Sequence, residues 1–152
     1  MQDLRSTVTK EAIAMLVSLA NKYPDDFQPY TSKYFARDSG LLKLLSNGKR
    51  LISDMAHEGI IEILQEVCIP KIFELLAIYF KSKANLVRLR VGEYYQICLC
   101  AYPPEMLVKN QTSIENEFLL AGLEDQSQEV RRQVRVCFKQ YVTLPEFSAR
   151  GR

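Results

Sequence analysis

The chain has 152 residues and an ordinary globular composition, with 47% hydrophobic and 25% charged residues, so one domain is expected. The net charge of only +2 excludes attraction of nucleic acid by bulk charge, and an anionic partner would need a local basic patch. The most apolar stretch, residues 67–80, is too short to span a membrane and contains Lys71 and Glu74.

Hydrophobic residues recur with the period of an α-helix through almost the whole chain, which predicts about seven helices and no sheet. The first helix carries an apolar stripe from Val8 to Leu19 and ends at Tyr23-Pro24, because a residue that precedes proline avoids the α region. One stripe of this helix is apolar and is expected to face the core; it consists of Val8, Ala12, Met15, Leu16 and Leu19. The other predicted helices cover residues 27–45 with a kink at Ser39-Gly40, 51–66, 69–80, 86–101, 105–123 with an interruption near Asn110 as an option, and 130–142.

The motif apolar–Arg–x–x–Val occurs at residues 4–8, 87–91 and 130–134 and indicates a repeat. The second and third copies start 43 residues apart, and the first and second start 83 residues apart, close to twice that spacing. A period in the low forties is typical of HEAT and armadillo helix pairs. A degenerate copy is expected at Lys49-Arg50. The prediction is an all-α HEAT-repeat solenoid of antiparallel helix pairs, one domain over residues 1–145 with a frayed tail at 146–152. Because the chain starts with the second helix of a pair, it is expected to be part of a longer array.

The predicted connectors within helix pairs are rich in basic residues. They cover residues 2–6, 46–50, 81–85 and 125–128, and stacking of the pairs would bring them to one edge, here called the connector edge. A cation beside a helix N-terminus typically costs a few tenths of a kcal/mol. Its repetition at each connector therefore indicates that an acidic protein surface supplies the anions.

Two roles are open to these cations. In HEAT arrays the arginine of the motif commonly pairs with an acid of a neighbouring repeat, which predicts a structural ladder of Arg5, Arg88 and Arg131 with Asp3 and Asp125 as partners. Five other cations are less constrained by the repeat and are predicted to bind a partner. The alternative is that they only form a solvated face. They are Lys49, Arg50, Lys83, Arg90 and Arg132.

Nothing in the sequence indicates catalysis, a cofactor or a metal site. The glycines form no phosphate-binding loop, and His57 is the single histidine. Cys68, Cys98, Cys100 and Cys137 lack paired spacing, so buried thiols in a cytosolic protein are expected. We therefore interpret the chain as a non-enzymatic protein that presents a surface.

Residues 3–12, with the sequence DLRSTVTKEA, resemble the DLRSxVxREA opening of a repeat in the TOG domains of CLASP-type microtubule-associated proteins. Residues 47–50, 81–90 and 123–132 are similar to connectors of the same family, and the resemblance covers most of residues 2–142. The family's first repeat normally supplies an aromatic residue, usually tryptophan. That repeat has no counterpart here, and the chain contains no Trp.

The resemblance implies a flat paddle of HEAT repeats whose connector edge binds the αβ-tubulin heterodimer and so regulates microtubule dynamics or stability. It implies a monomeric, cytoplasmic module on microtubules, with spindle, kinetochore or cilium as options. Carried over by position, the tubulin-binding residues would be Arg5, Ser6, Lys49, Arg50, Lys83, Arg90 and Arg132. The alternative is a HEAT-repeat scaffold that binds another protein.

Overall fold

The computed structural model describes residues 4–148 and contains helices but no strand in that range. The all-α class predicted from the sequence is confirmed. The chain forms two compact units, Met1–Ile72 (unit 1) and Phe73–Arg152 (unit 2), which are described separately. One domain over residues 1–145 stays a prediction.

Unit 1 contains two long helices and the short helical segments between them. In chain order its elements are α1 (Leu4–Lys22), α2 (Pro24–Phe27), a first 3-10 helix (Gln28–Tyr30), α3 (Thr31–Tyr34), a second 3-10 helix (Leu41–Ser46) and α4 (Arg50–Glu66).

The core of unit 1 forms where α4 packs against α1 and the second 3-10 helix. α1 buries Ile13, Leu16 and Ala20, and each large apolar side chain removed from water contributes about 1.5–3 kcal/mol. A Cβ atom at Gly59 would lie 2.6 Å from Ile13 Cγ2, closer than real Cβ atoms come. Glycine at this position therefore allows α4 to approach α1 closely. The buried apolar side chains of α4 are Ile52, Ala56, Ile60, Ile63 and Leu64.

The single helix predicted over residues 27–45 is wrong. Short helical segments are followed there by a turn at residues 35–40 and then by the second 3-10 helix. Pro29 has no N–H to donate to a continuing helix, and Thr31 Oγ1 instead donates to the Gln28 carbonyl at 2.8 Å. At Gly40 a Cβ atom would lie 2.6 Å from the Tyr34 carbonyl oxygen, so the turn has room only for glycine. The predicted kink is thus a complete interruption.

The apolar stripe of α1 that was predicted to face the core lies mostly at the surface. Leu16 is buried as predicted, but the other members are exposed; they are Val8, Ala12, Met15 and Leu19. α1 has a second apolar stripe, containing Ile13 and Ala20, and this one is buried. Hydrophobic periodicity fits both stripes, so only the position of α4 selects between them.

Unit 2 consists of helices with short connectors, and α5 begins at the last residue of unit 1. In chain order they are α5 (Ile72–Tyr79), α6 (Asn85–Ala101), α7 (Pro104–Lys109), α8 (Gln111–Ser113), a π-helical segment (Ile114–Leu120), α9 (Ala121–Leu123), α10 (Gln128–Thr143) and α11 (Pro145–Ser148).

The core of unit 2 lies where α6 packs against α10, and aromatic rings extend it. The Tyr95 and Phe118 rings are stacked with centroids 3.8 Å apart, and Phe80 meets Phe118 edge-on at 5.1 Å. Each such pair adds about 0.5–1.5 kcal/mol to the area that it buries. A Cβ atom at Gly122 would lie 2.4 Å from Val134 Cγ2, so α9 approaches α10 very closely.

The tail predicted to fray from residue 146 is ordered at its start. Phe147 lies in α11, is buried and stacks on Tyr141 with ring centroids 4.3 Å apart. Burial and stacking of this aromatic side chain contribute to the stability of that helical turn. Residues 149–152 lie outside the described range.

Candidate functional site

The Arg88 guanidinium joins the two connectors of unit 2. Its Nε donates to Asp125 Oδ2 at 2.9 Å and its Nη2 to Asp125 Oδ1 at 3.1 Å. Nη1 donates to the Ser82 carbonyl at 2.8 Å, and Nη2 also donates to Asn85 Oδ1. Ser82 belongs to the α5–α6 connector and Asp125 to the α9–α10 connector, so one side chain holds both connectors together. The ladder residues Arg88 and Asp125 are brought together here.

The Arg88–Asp125 ion pair is buried, since only 7% of the arginine side chain and 9% of the aspartate side chain are exposed. Burial alone would raise the pKa of Asp125, but hydrogen bonds from Arg88 and the Ser127 N–H, with the charges of Arg88 and Arg131, hold that pKa below its ordinary value. The carboxylate is therefore charged at neutral pH. Arg131 adds a hydrogen bond from Nη1 to the Asp125 carbonyl oxygen.

Ion pairing of Arg88 with Asp125 leaves the α5–α6 connector with uncompensated positive charge in its own sequence. Lys81 and Lys83 are exposed, and residues 81–90 contain no acidic side chain. Arg132 is also exposed, near the start of α10. Lys83 and Arg132 lie near helix N-termini, where the helix dipole also attracts anions, whereas Lys81 follows the C-terminus of α5. The α5–α6 connector is therefore a cationic segment, whereas the α9–α10 connector also contains Glu124 and Asp125.

Arg90 does not lie on an exposed edge, contrary to the prediction. Only 8% of this residue is exposed, and its charge acts on Glu93 and Tyr94 of the same helix. Burial raises the pKa of Glu93, and the charge of Arg90 opposes that rise. Successive residues of α6 point in different directions, so Arg88 reaches the connectors whereas Arg90 packs within the protein.

The connector of unit 1 between the second 3-10 helix and α4 is held by local contacts. The Lys49 N–H donates to Asn47 Oδ1 at 2.8 Å. Arg50 Nε lies 2.9 Å from Asp54 Oδ1, one turn further along α4, and both side chains are largely exposed. Lys49 and Arg50 are thus at the surface, as a binding role requires.

The first predicted connector lies partly outside the described range, which excludes Asp3. Arg5 is exposed in the first turn of α1. Ser6 is buried, contrary to its predicted place on the connector edge, because it lies on the face of α1 that also carries Ile13. That the connectors of both units share one edge stays a prediction.

Sequence reasoning missed the polar contacts that accompany the ladder. Ser82 and Asn85 complete the binding of Arg88, and no motif marked them. Glutamines bridge α6 and α10: Gln133 Nε2 donates to the Gly92 carbonyl at 3.2 Å, and Gln140 Nε2 lies 2.9 Å from Cys100 Sγ. The detectable signal was glutamine on the inward-facing flank of an otherwise basic helix.

The cysteine predictions are partly corrected. Cys98 and Cys137 are buried, and burial raises the pKa of Cys137 to about 12. Cys68 is half-buried, whereas Cys100 is exposed at the last turn of α6. Within residues 4–148, no three His, Cys, Asp or Glu side chains are grouped as a metal site would need. No helix in the described part of the chain has the length and apolarity to cross a membrane.

Comparison with known proteins identifies the family. The family model for the CLASP N-terminal domain matches residues 1–149. The chain belongs to the CLASP N-terminal family. Members of this family are HEAT-like helical domains associated with microtubules rather than enzymes, which confirms the solenoid predicted from the repeat.

An uncharacterized protein of Dictyostelium discoideum is 28% identical over 151 residues, which covers 97% of this chain. The chain spans 18% of the length of that relative. The match therefore concerns this domain and indicates no activity or partner for a longer protein.

Proposed function

We propose that this CLASP N-terminal domain binds tubulin through the exposed cations of its connectors and thereby regulates microtubule dynamics or stability. The observation that carries the proposal is the family match over residues 1–149, together with exposed cations in the connectors and the first turns of the helices that follow them. The binding residues proposed are Arg5, Lys49, Arg50, Lys81, Lys83 and Arg132. A location on microtubules follows from this function.

The buried Arg88–Asp125 ion pair supports the proposal because it fixes the geometry of the connectors, while the exposed cations remain available for binding. Arg88 and Asp125 neutralise each other inside unit 2, while Lys81 and Lys83 stay outside. Cations at an interface rim mainly raise the association rate and fix the register of docking. An acidic protein such as tubulin would be attracted in this way, and salt would weaken the attraction.

The test compares microtubule co-pelleting and tubulin co-elution at about 50 mM and about 150 mM salt. The double variant Lys81→Glu/Lys83→Glu reverses two exposed charges, and we expect at least about tenfold weaker binding, close to 1.4 kcal/mol. Lys71→Glu/Lys139→Glu is the matched control, since it makes the same change of charge at two exposed lysines outside the α5–α6 and α9–α10 connectors. The control should bind like the natural chain.

Equal binding by the double variant and the natural chain would contradict the connector contacts. A folded chain that fails to bind at the lower salt concentration would contradict tubulin binding itself. That result would favour the alternative, a HEAT-repeat scaffold for a different protein.

A further inference from the structure

The connector of unit 1 contains the dipeptide Asn47-Gly48, whose chemistry tubulin binding does not use. Asn47 is the only asparagine of the chain that precedes a glycine. Both residues are exposed, between the second 3-10 helix and α4. Asparagine is thermolabile, because the nitrogen of the next residue can attack its side-chain amide carbon. A following glycine favours this attack, since it has no Cβ atom to crowd the nitrogen.

The Gly48 nitrogen is available as a nucleophile. Within residues 4–148, no hydrogen bond engages the Gly48 N–H. A Cβ atom built at Gly48 would meet nothing within 4 Å, so water reaches this residue freely. Attack on the Asn47 side chain requires rotation of the main chain between the two residues, and no packing contact of Gly48 resists that rotation.

The Asn47 side chain is held in a way that favours attack at its amide carbon, Cγ. The Lys49 N–H donates to Asn47 Oδ1 at 2.8 Å, a local contact across two residues. When the Gly48 nitrogen adds to Cγ, negative charge develops on Oδ1. A hydrogen-bond donor already placed on that oxygen stabilises the charge and lowers the barrier to the attack.

The other asparagines of the chain lack this combination. Each is followed by a residue that has a Cβ atom. Asn85 Oδ1 accepts from the buried Arg88, and Asn110 Nδ2 donates to a backbone carbonyl of α7 at 2.8 Å. Asn21 lies in α1 and Asn116 in the π-helical segment, where backbone hydrogen bonds fix the main chain. The reaction should therefore be selective for one position.

We propose that Asn47 is a site of spontaneous deamidation, and that the carboxylate formed there weakens binding of an acidic partner by the unit 1 connector. The Gly48 nitrogen loses its proton to hydroxide and bonds to Asn47 Cγ. The bond from Cγ to Nδ2 breaks, so that ammonia leaves and a cyclic succinimide remains. Water then opens the ring, at Cγ to give aspartate or at the main-chain carbon to give isoaspartate. The sum consumes one water and releases one ammonia.

Deamidation changes the charge and the path of the connector. Residues 46–50 contain Lys49, Arg50 and no acid, so the net charge of this segment is +2 and falls to +1 with one new carboxylate. In the isoaspartate product the main chain runs through Cγ, which adds one methylene just before α4. Because Lys49 and Arg50 are proposed to bind tubulin, the loss of affinity rests on the proposed function.

The first experiment follows the full chain during incubation at neutral and at mildly alkaline pH. Peptide mapping by mass spectrometry should find NH₂ replaced by OH at Asn47 and at no other asparagine, and enzymatic methylation should label the isoaspartate. The rate should rise with hydroxide concentration, since the attacking nitrogen must lose its proton. A synthetic peptide of residues 44–51 gives the rate without the fold, and the full chain should react within about tenfold of it.

Gly48→Ala is the matched variant. The Gly48 φ is not positive and a Cβ atom there meets nothing, so the fold should be preserved. The added methyl group crowds the nitrogen and should slow deamidation by at least about tenfold. An Asn47 that stays intact in the full chain after the peptide has been converted would overturn the proposal, and so would equal rates in Gly48→Ala and the natural chain.

The second experiment measures the consequence for binding. Asn47→Asp carries the charge of one product, and Asn47→Gln is the neutral control. Microtubule pelleting at the lower salt concentration should be about twofold to fivefold weaker for Asn47→Asp, and for the chain deamidated at Asn47, than for Asn47→Gln. Equal binding by the two variants would overturn the loss of affinity. A natural chain that does not bind would overturn the proposed function, whereas the peptide map alone decides the reaction at Asn47.

Discussion

The connectors of units 1 and 2 both place an arginine at a helix start near an aspartate, yet the two ion pairs differ in kind. Arg50 and Asp54 are neighbours on one helical turn, with 69% and 42% of their side chains exposed. Arg88 and Asp125 come from different elements and are less than one-tenth exposed. The comparison teaches that burial and the elements joined decide how much such a pair contributes, because an exposed local pair is largely screened by water.

The largest expected effect comes from removing the buried acid. Asp125→Ala leaves the Arg88 charge buried without its partner, so the free energy of unfolding should fall by about 3–5 kcal/mol. Urea denaturation monitored by circular dichroism measures this loss of free energy of unfolding. Asp54→Ala removes the exposed partner in unit 1 and should cost no more than about 0.5 kcal/mol. Similar losses of unfolding free energy in Asp125→Ala and Asp54→Ala would contradict the difference between the buried and the exposed ion pair.

An intermediate effect is expected where glycines allow close helix contacts. At Gly122 a Cβ atom would lie 2.4 Å and 3.0 Å from the two methyl groups of Val134, and one rotation cannot move both away. Gly122→Ala should therefore lower the free energy of unfolding by about 1–3 kcal/mol.

At Gly59 the same change meets one methyl group of Ile13. Rotation of the Ile13 side chain can relieve a clash with a single methyl group, so Gly59→Ala should be milder, while the gain of about 1 kcal/mol in helix propensity applies to both changes. Thermal melting of both variants ranks the two contacts, and a Gly59 variant less stable than the Gly122 variant would contradict this ranking.

The smallest effect concerns pH. The folded-state pKa of Asp125 lies below its ordinary value, so the pair stabilises the fold fully above the unfolded-state pKa of about 4. That stabilisation is lost as pH falls through the lower folded-state pKa. The free energy of unfolding should therefore fall more steeply below about pH 4 in the natural chain than in Asp125→Asn, which has no carboxylate to protonate. Identical slopes in acid denaturation would exclude this role.

Helix boundaries and the repeat were accessible from the sequence because they depend on local chemistry. Tyr23-Pro24 ends α1, and the prolines after Tyr102 end α6, as proline sterics require. The turn at residues 35–40 was placed only as a kink, since nothing local in Ser39-Gly40 distinguishes a bent helix from an interrupted one.

The candidate site was predictable in part. The repeat arginine Arg88 and its acid Asp125 were named from the motif, because a fixed period places equivalent residues at equivalent levels. Ser82 and Asn85 were not, since the motif does not constrain polar groups around the guanidinium. Ser6 and Arg90 were assigned to the surface, and the structure buries both.

The sequence by itself determined that this chain is helical, repetitive and a member of the CLASP N-terminal family, because period, proline positions and motif order are properties of the chain alone. The tertiary structure decided which of the two apolar stripes on α1 is buried. It also decided that Lys83 is exposed whereas Arg90 is buried. Those choices depend on where α4 and α10 pack. A helix with apolar residues on two faces carries no local signal for which face a neighbour covers.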